Sequence, residues 1–152
     1  MIEDKLIELG LQLPIAPIPL ASYVPAVVVD NLIFTSGQIP VLEGELKFKG
    51  KIGKDLTEEE GRSAAELCVL NCLSVIKNSA GSLDKIEKII KVTVFINSAD
   101  NFTGQPKVAN GASDLLVKLF GEKGKHARSA VGVNELPINA AAEIEMIARL
   151  AG

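Results

Sequence analysis

The apolar positions of this chain switch between a period near 3.6 and a period of two, and each switch marks an element. Residues 2–10, IEDKLIELG, place Ile2, Leu6, Ile7 and Leu9 at near-helical spacing and stop at a glycine suited to a C-cap, which predicts a short helix. The stretch LPIAPIPL at 13–20 carries three prolines, which forbid helix and predict an extended arm that docks or forms part of a rim. Ala26–Val29 and Leu32–Thr35 are β-rich runs separated by Asp30-Asn31, the signal of a tight hairpin. Glycine and proline in Ser36-Gly37-Gln38-Ile39-Pro40 then break the strand, and a third strand is expected at Leu46–Gly50 after a turn at Glu43-Gly44.

From Thr57 the period returns to 3.6. Thr57-Glu-Glu-Glu60 reads as a capping box, in which the threonine accepts the third helical N–H and Glu60 reaches back. Ala64, Cys68, Cys72, Val75 and Ile76 form the apolar stripe, and Gly81 closes the helix. Ile86–Asn97 predicts a long strand with Ile90, Val92, Val94 and Ile96 on one face and Ile89, Lys91, Thr93 and Phe95 on the other. The segment 98–106 is polar and irregular. A second long helix is expected from about Lys107 to Phe120, with Leu115, Leu116, Leu119 and Phe120 inward and Gly121 at its end. Ala127–Val133 and Ala142–Leu150 are the last strands, joined by a turn around Glu135-Leu-Pro137.

The order β-β-β-α-β-α-β-β, without repeat or linker, predicts one domain over 1–152 of the α+β class. It is a mixed sheet with two helices packed on one face, and a helix crossing between strands calls for a parallel pair. Residues 1–20, the helix and the proline-rich arm, precede this frame. The uncovered sheet face would carry Thr93, Phe95, Val27 or Val28, and Ala130, too apolar for water, so an oligomer contact is expected there.

Composition narrows the function classes. The net charge is −3 and the basic residues are scattered, with no stripe to track a phosphate backbone, so no nucleic-acid partner is expected. The longest apolar run, Ala26–Val29, is far too short to span a bilayer, so no membrane partner is expected either. The acidic N-terminus lacks the layout of a signal peptide, and a cytoplasmic location follows as the expectation. Cys68 and Cys72 share a helix face, but with His126 the only histidine a metal would need carboxylates to complete its shell; core packing is the expectation, and no cofactor.

The last two strands carry the strongest candidate chemistry. In HARSAVGV, alternation puts Arg128, Ala130 and Gly132 on one face, opposite Ser129, Val131 and Val133. In AAEIEMIARL, Glu143, Glu145, Ile147 and Arg149 oppose Ile144, Met146, Ala148 and Leu150. Each of two neighbouring strands thus sets charge among apolar residues. An arginine among Ala, Val and Gly must be paired or hold an anion. A structural Arg128–Glu143 or Arg149–Glu145 pair is one reading; a guanidinium gripping a substrate carboxylate, with a glutamate handling a water, is the other. Ser36 and Gly37 either end a strand or offer a hydroxyl and an N–H to a cleft. Tyr23 reads as a packed amphipathic side chain, and His126 as an exposed residue at a loop end. No Ser/His/Asp set and no phosphate-binding glycine motif stands out.

Three blocks carry a resemblance. ASYVPAVVVDNLIFTSGQIP, KVTVFINSADNF and HARSAVGVNELPINAAAEIEMIA, in this order, are similar to the opening, middle and closing segments of the Rid/YjgF (reactive intermediate deaminase) family, over about the last 130 residues. The resemblance implies a chorismate-mutase-like fold and a homotrimer with a cleft at each subunit boundary. It implies hydrolysis of reactive enamines and imines such as 2-aminoacrylate to 2-keto acids and ammonia, so the partners would be small 2-imino and 2-keto carboxylates. On this likeness Arg128 binds the carboxylate and Glu143 handles the water, with Tyr23, Ser36, Gly37, Asn110 and Ala130 lining the cleft. A non-catalytic module holding a small carboxylate is the alternative, and a nuclease or translation inhibitor is disfavoured by the charge. The chain departs from the pattern at Ala130, where active members often have cysteine, in the N-terminal additions, and in a longer 98–109 segment.

Overall fold

The computed structural model describes residues 1–16 and 18–152; Pro17, within the proline-rich arm, lies outside the described residues. In chain order the elements are α1 (Ile2–Glu8), β1 (Ala26–Val29), β2 (Leu32–Thr35), β3 (Val41–Leu42), β4 (Glu45–Leu46), α2 (Glu58–Ala80), β5 (Ile86–Asn97), α3 (Gln105–Phe120), β6 (Ala127–Val133) and β7 (Ala142–Leu150). The main sheet runs β1-β2-β7-β5-β6, while β3 and β4 form a separate two-stranded ribbon. All neighbours are antiparallel except β5 and β6, which run parallel because α3 carries the chain back across the sheet.

Local chemistry accounts for the helices. Thr57 and Glu60 make both hydrogen bonds of the capping box, and Gly81, at φ +90°, closes α2 through its N–H to the Lys77 carbonyl. Two helix-spanning layers of Ala64, Cys68, Cys72 and Leu73 from α2 and Ala112, Leu116 and Leu119 from α3 press onto Val92, Val94, Ile144 and Met146 of the sheet, all essentially inaccessible to solvent. The helices approach closely at Gly111, where a Cβ would collide with the Arg62 backbone carbonyl of α2. Helix α1 docks on the side of α3, with Lys5 Nζ donating to the Leu119 carbonyl.

The cysteines pack in the core as expected. Both thiols donate toward β7 carbonyls, Cys68 to Ala142 and Cys72 to Ile144, and burial pushes the Cys72 thiol up to about 12. They are inert at neutral pH.

Three expectations need correction. The strand expected at Leu46–Gly50 is instead the β3–β4 ribbon closed by Glu43 and Gly44 at φ +54° and +78°; beyond it only Lys49 bridges to Ala140. The strict alternation assigned to residues 86–97 fails because the ladder with β7 slips between Ile86 and Lys88 and again between Ile89 and Lys91. The extra residue at each slip turns the strand over, so Ile89, not Ile90, joins Val92 and Val94 in the core. Ala130 pairs with Val94 and packs on the core beneath the helices, so it does not belong to the open face with Thr93 and Phe95. That open face does keep exposed apolar side chains: Val27, Phe34 and Val131.

Candidate active site

Arg128 projects from β6 toward the helices and meets one face of α3. Its Nη1 donates to Asn110 Oδ1 at 2.8 Å and to Ser113 Oγ at 3.1 Å, and Nη2 donates to the Pro106 carbonyl at 3.4 Å. Asn110 and Ser113 are three apart on α3, so one helix face supplies both acceptors. Nη1 thus has two acceptors and Nη2 one, at the long end of hydrogen-bond range, whereas Nε has no partner among the described residues. The Nε/Nη2 edge is therefore the less occupied side of the guanidinium, and that edge is the one that matches a carboxylate side-on.

The cluster continues through His126. Its Nδ1 lies 2.6 Å from the Gly124 carbonyl, which can only accept, so that nitrogen carries the hydrogen. In the neutral ring Nε2 is then the acceptor, and the Ser113 hydroxyl, at 2.9 Å, donates to it. Burial, then the Arg128 and Lys88 cations, hold the imidazole below its ordinary value against the pull of the Gly124 carbonyl. His126 is therefore a half-buried, fully bonded member of this cluster, not the exposed loop-end residue expected of it. A shallow recess of about 230 Å³ lined by Ser113, Val117, Lys125, His126 and Arg128 opens over it.

Glu143 sits elsewhere. On β7 it pairs with Phe95 of β5, while Arg128 on β6 pairs with Val92. Positions 92 and 95 of a regular strand face opposite ways, so the guanidinium lies on the helix side and the carboxylate on the open side. Nor are β6 and β7 neighbours, since β5 runs between them. An Arg128–Glu143 pair within one chain is ruled out by both facts. The other suggested pair is also absent: Arg149 Nε bonds Glu87 at 2.7 Å, across the β5–β7 ladder, not Glu145.

Glu143 has its own surroundings. The backbone of Gln38 and Ile144 exchange both N–H···O bonds, at 2.8 and 2.9 Å, which extends β2 along β7 and lays Gly37 against Glu143. A Cβ at Gly37 would strike the Glu143 carboxylate, so glycine is what admits that side chain. Burial first, then the Glu145 carboxylate, raises the Glu143 carboxyl above the usual range. Ser36 Oγ donates to the Val24 carbonyl at 2.6 Å and its N–H to the Pro25 carbonyl at 2.8 Å, strapping the segment that bears exposed Tyr23 to the end of β2.

The candidate residues thus divide into two groups. Arg128, Asn110 and Ala130 lie on the helix side; Glu143, Gly37, Ser36 and the Tyr23 segment gather at the β2–β7 end. Reading the residues did not single out Ser113 or assign His126 a partner. The available signals were the three-residue spacing from Asn110 and the two-residue spacing from His126 to Arg128 in an alternating strand.

Comparison with known proteins decides the family. The family described as "YjgF/chorismate_mutase-like, putative endoribonuclease" matches residues 3–150. The chain belongs to this family. It is similar to Protein TCP17 of Trypanosoma cruzi, 42% identical over 143 residues that cover 93% of this chain and 89% of the relative. The crystal structure of protein Atu1372, of unknown function, from Agrobacterium tumefaciens shares 42% identity with a TM-score of 0.93, covering 98% of this chain and 92% of that one. A third relative, 31% identical over 88% of this chain and 90% of its own length, is the 2-iminobutanoate/2-iminopropanoate deaminase of Dermatophagoides farinae. YjgF-family membership carries the chorismate-mutase-like fold and supports a hydrolase-type activity. No helix among the described residues is long and apolar enough to cross a membrane.

Proposed function

We propose that this chain hydrolyses small 2-imino and 2-enamino acids to 2-keto acids and ammonia, in clefts formed between copies of a homotrimer. The less occupied Nε/Nη2 edge of a guanidinium already fixed by Asn110, Ser113 and Pro106 carries this reading, because it offers a preset fork to an α-carboxylate. The substrate carboxylate docks on that fork with its C=N carbon beside it. The reacting species is the iminium, C=NH2⁺, which an imine reaches by taking a solvent proton at nitrogen and an enamine by taking one at its β-carbon. A water attacks the iminium carbon while Glu143 takes one of the water's protons, and the C=N π electrons move to nitrogen, which becomes the NH2 of a carbinolamine. The same carboxyl returns the proton to that amine; an oxygen lone pair then forms C=O as the C–N bond breaks, the departing ammonia takes the hydroxyl proton, and the keto acid and ammonium separate. A carboxyl raised above its ordinary range is suited to both halves of that exchange. The chemistry asks little beyond positioning, and no cofactor enters it.

Arg128 and Glu143 lie on opposite faces of one chain's sheet, so the reading requires a neighbour's Glu143 to meet each Arg128. The exposed Val27, Phe34 and Val131 on the open face are the kind of surface such a contact buries. The name borne by the Dermatophagoides relative points the same way. A second reading, a module that binds a small carboxylate without turnover, draws on Ala130, which leaves no thiol beside the fork. One assay separates them: a threonine dehydratase generates 2-aminocrotonate in situ and keto-acid release is followed. Faster release that needs both Arg128 and Glu143 supports the enzyme; no acceleration, with saturable 2-oxobutanoate binding that needs Arg128, supports the module.

A further inference from the structure

We propose that His126, acting through Ser113, is a positioning residue of the anion fork, so that a small carboxylate at Arg128 and a proton at His126 bind cooperatively. The inference rests on the reading of Arg128 as the carboxylate holder and adds a residue to that site. It starts from a continuous chain of bonds: the Gly124 carbonyl fixes Nδ1–H of His126, Nε2 accepts the Ser113 hydroxyl, and Ser113 Oγ accepts Arg128 Nη1. One serine oxygen stands between a cation and an imidazole, and protonating the ring would make it donate to the oxygen that already receives Arg128.

The groups facing the ring explain why a ligand changes that balance. Arg128 of β6, Lys88 of β5 and Lys125 just before β6 are all cationic, and α3 presents only Ser113 and Val117 to the recess. Asp114 and Lys118 of the same helix line a separate groove, where Asp114 pairs with Arg62. Lys125 is paired with the exposed Glu122 carboxylate at 2.6 Å, and Lys88 Nζ donates to the Glu122 carbonyl at 3.0 Å. Without a ligand the neutral ring is favoured. A carboxylate on Arg128 places negative charge beside the only histidine in the chain, and the protonated ring becomes the better neighbour.

The sign follows by linkage. If a bound carboxylate raises the His126 midpoint, carboxylate affinity grows as pH falls through the bound-state midpoint and is at its maximum below the free-protein midpoint. A rise of roughly one pH unit corresponds to a tenfold gain in affinity across that window.

Because His126 is the only histidine, its Cε1 proton gives one unambiguous NMR signal. The experiment titrates that signal against pH with and without saturating 2-oxobutanoate, alongside calorimetric binding of 2-oxobutanoate at several pH values. The expected result is a free midpoint below the ordinary histidine range, raised by the ligand by roughly one unit, with matching proton uptake on binding. Arg128→Gln raises the free midpoint and abolishes the ligand response. Ser113→Ala keeps binding but shrinks the shift, and Ser113→Thr, which restores a hydroxyl, recovers it. Binding that leaves the His126 midpoint unmoved overturns this inference alone. Absence of any binding at millimolar 2-oxobutanoate overturns it together with the carboxylate-holding role of Arg128.

Discussion

Around Arg128 nearly every polar atom has a partner. Asn110, Ser113, Pro106, His126 and Gly124 form one network, and the Nε/Nη2 edge of the guanidinium is its less occupied side. Around Glu143 the opposite holds: the carboxylate rests on a bare glycine, has no hydrogen bond or ion pair among the described residues, and is destabilised by burial and by Glu145. A cation held in one orientation is ready to receive an anion, and a half-buried carboxylate without a fixed partner is ready to exchange a proton.

The largest effect is expected at the cation. Arg128→Ala is expected to lower kcat/KM in the coupled dehydratase assay by roughly 100-fold or more, since a charge-assisted bidentate contact disappears. Lysine should recover little, because it lacks the fork. An unchanged rate would remove Arg128 from the site.

Glu143→Gln is expected to reduce kcat by roughly 10- to 100-fold with little change in KM. The same variant carries a stability signature. The folded protein holds this carboxyl above its unfolded value, so the charged form is disfavoured, and the resulting deficit grows as pH rises through the raised midpoint. The glutamine should therefore be more stable at pH 7, an advantage that disappears at pH values below the ordinary carboxylate range, where the glutamate is protonated in both folded and unfolded chains. Thermal melts on either side of that range read it; equal melting offsets at low pH and at pH 7 would contradict the burial argument.

Smaller effects distinguish the two regions from each other. Gly37→Ala displaces only the end of a flexible side chain, so activity should fall several-fold while the melting temperature stays nearly constant. Gly111→Ala presses on the Arg62 backbone, where nothing can yield cheaply. It should cost roughly 1–3 kcal/mol by overpacking and also raise KM, because α3 carries Asn110 and Ser113. Ser113→Ala should give the mildest change, a KM increase of roughly three- to tenfold with kcat preserved. Finding the stability loss at Gly37 and not at Gly111 would reverse the assignment of rigid and adaptable regions.

Much of this was legible in the residues. The capping box at Thr57, the Asp30-Asn31 hairpin, the cysteine stripe of α2 and the alternation of 127–133 and 142–150 are local patterns, governed by backbone bonding and side-chain period within a few residues. They set the elements and assigned Arg128, Glu143 and Glu145 to their faces. Family resemblance supplied Asn110, and Gly37 was already marked as a strand end or cleft position; the geometry gives each a contact.

What the chain alone left open depends on contacts remote in sequence. The slips at Ile86–Lys88 and Ile89–Lys91 are set by the ladder with β7, so no count along β5 could show that Ile89 turns inward. The placement of β5 between β6 and β7 comes from the parallel crossover by α3, and that order, together with the two faces, parts Arg128 from Glu143. His126 gained its partner only when α3 packed onto β6 and brought Ser113 to its ring. Sequence determined the elements and which residues share a face, because those follow from short-range periodicity; tertiary structure decided which faces meet, because that is settled by packing between distant parts of the chain.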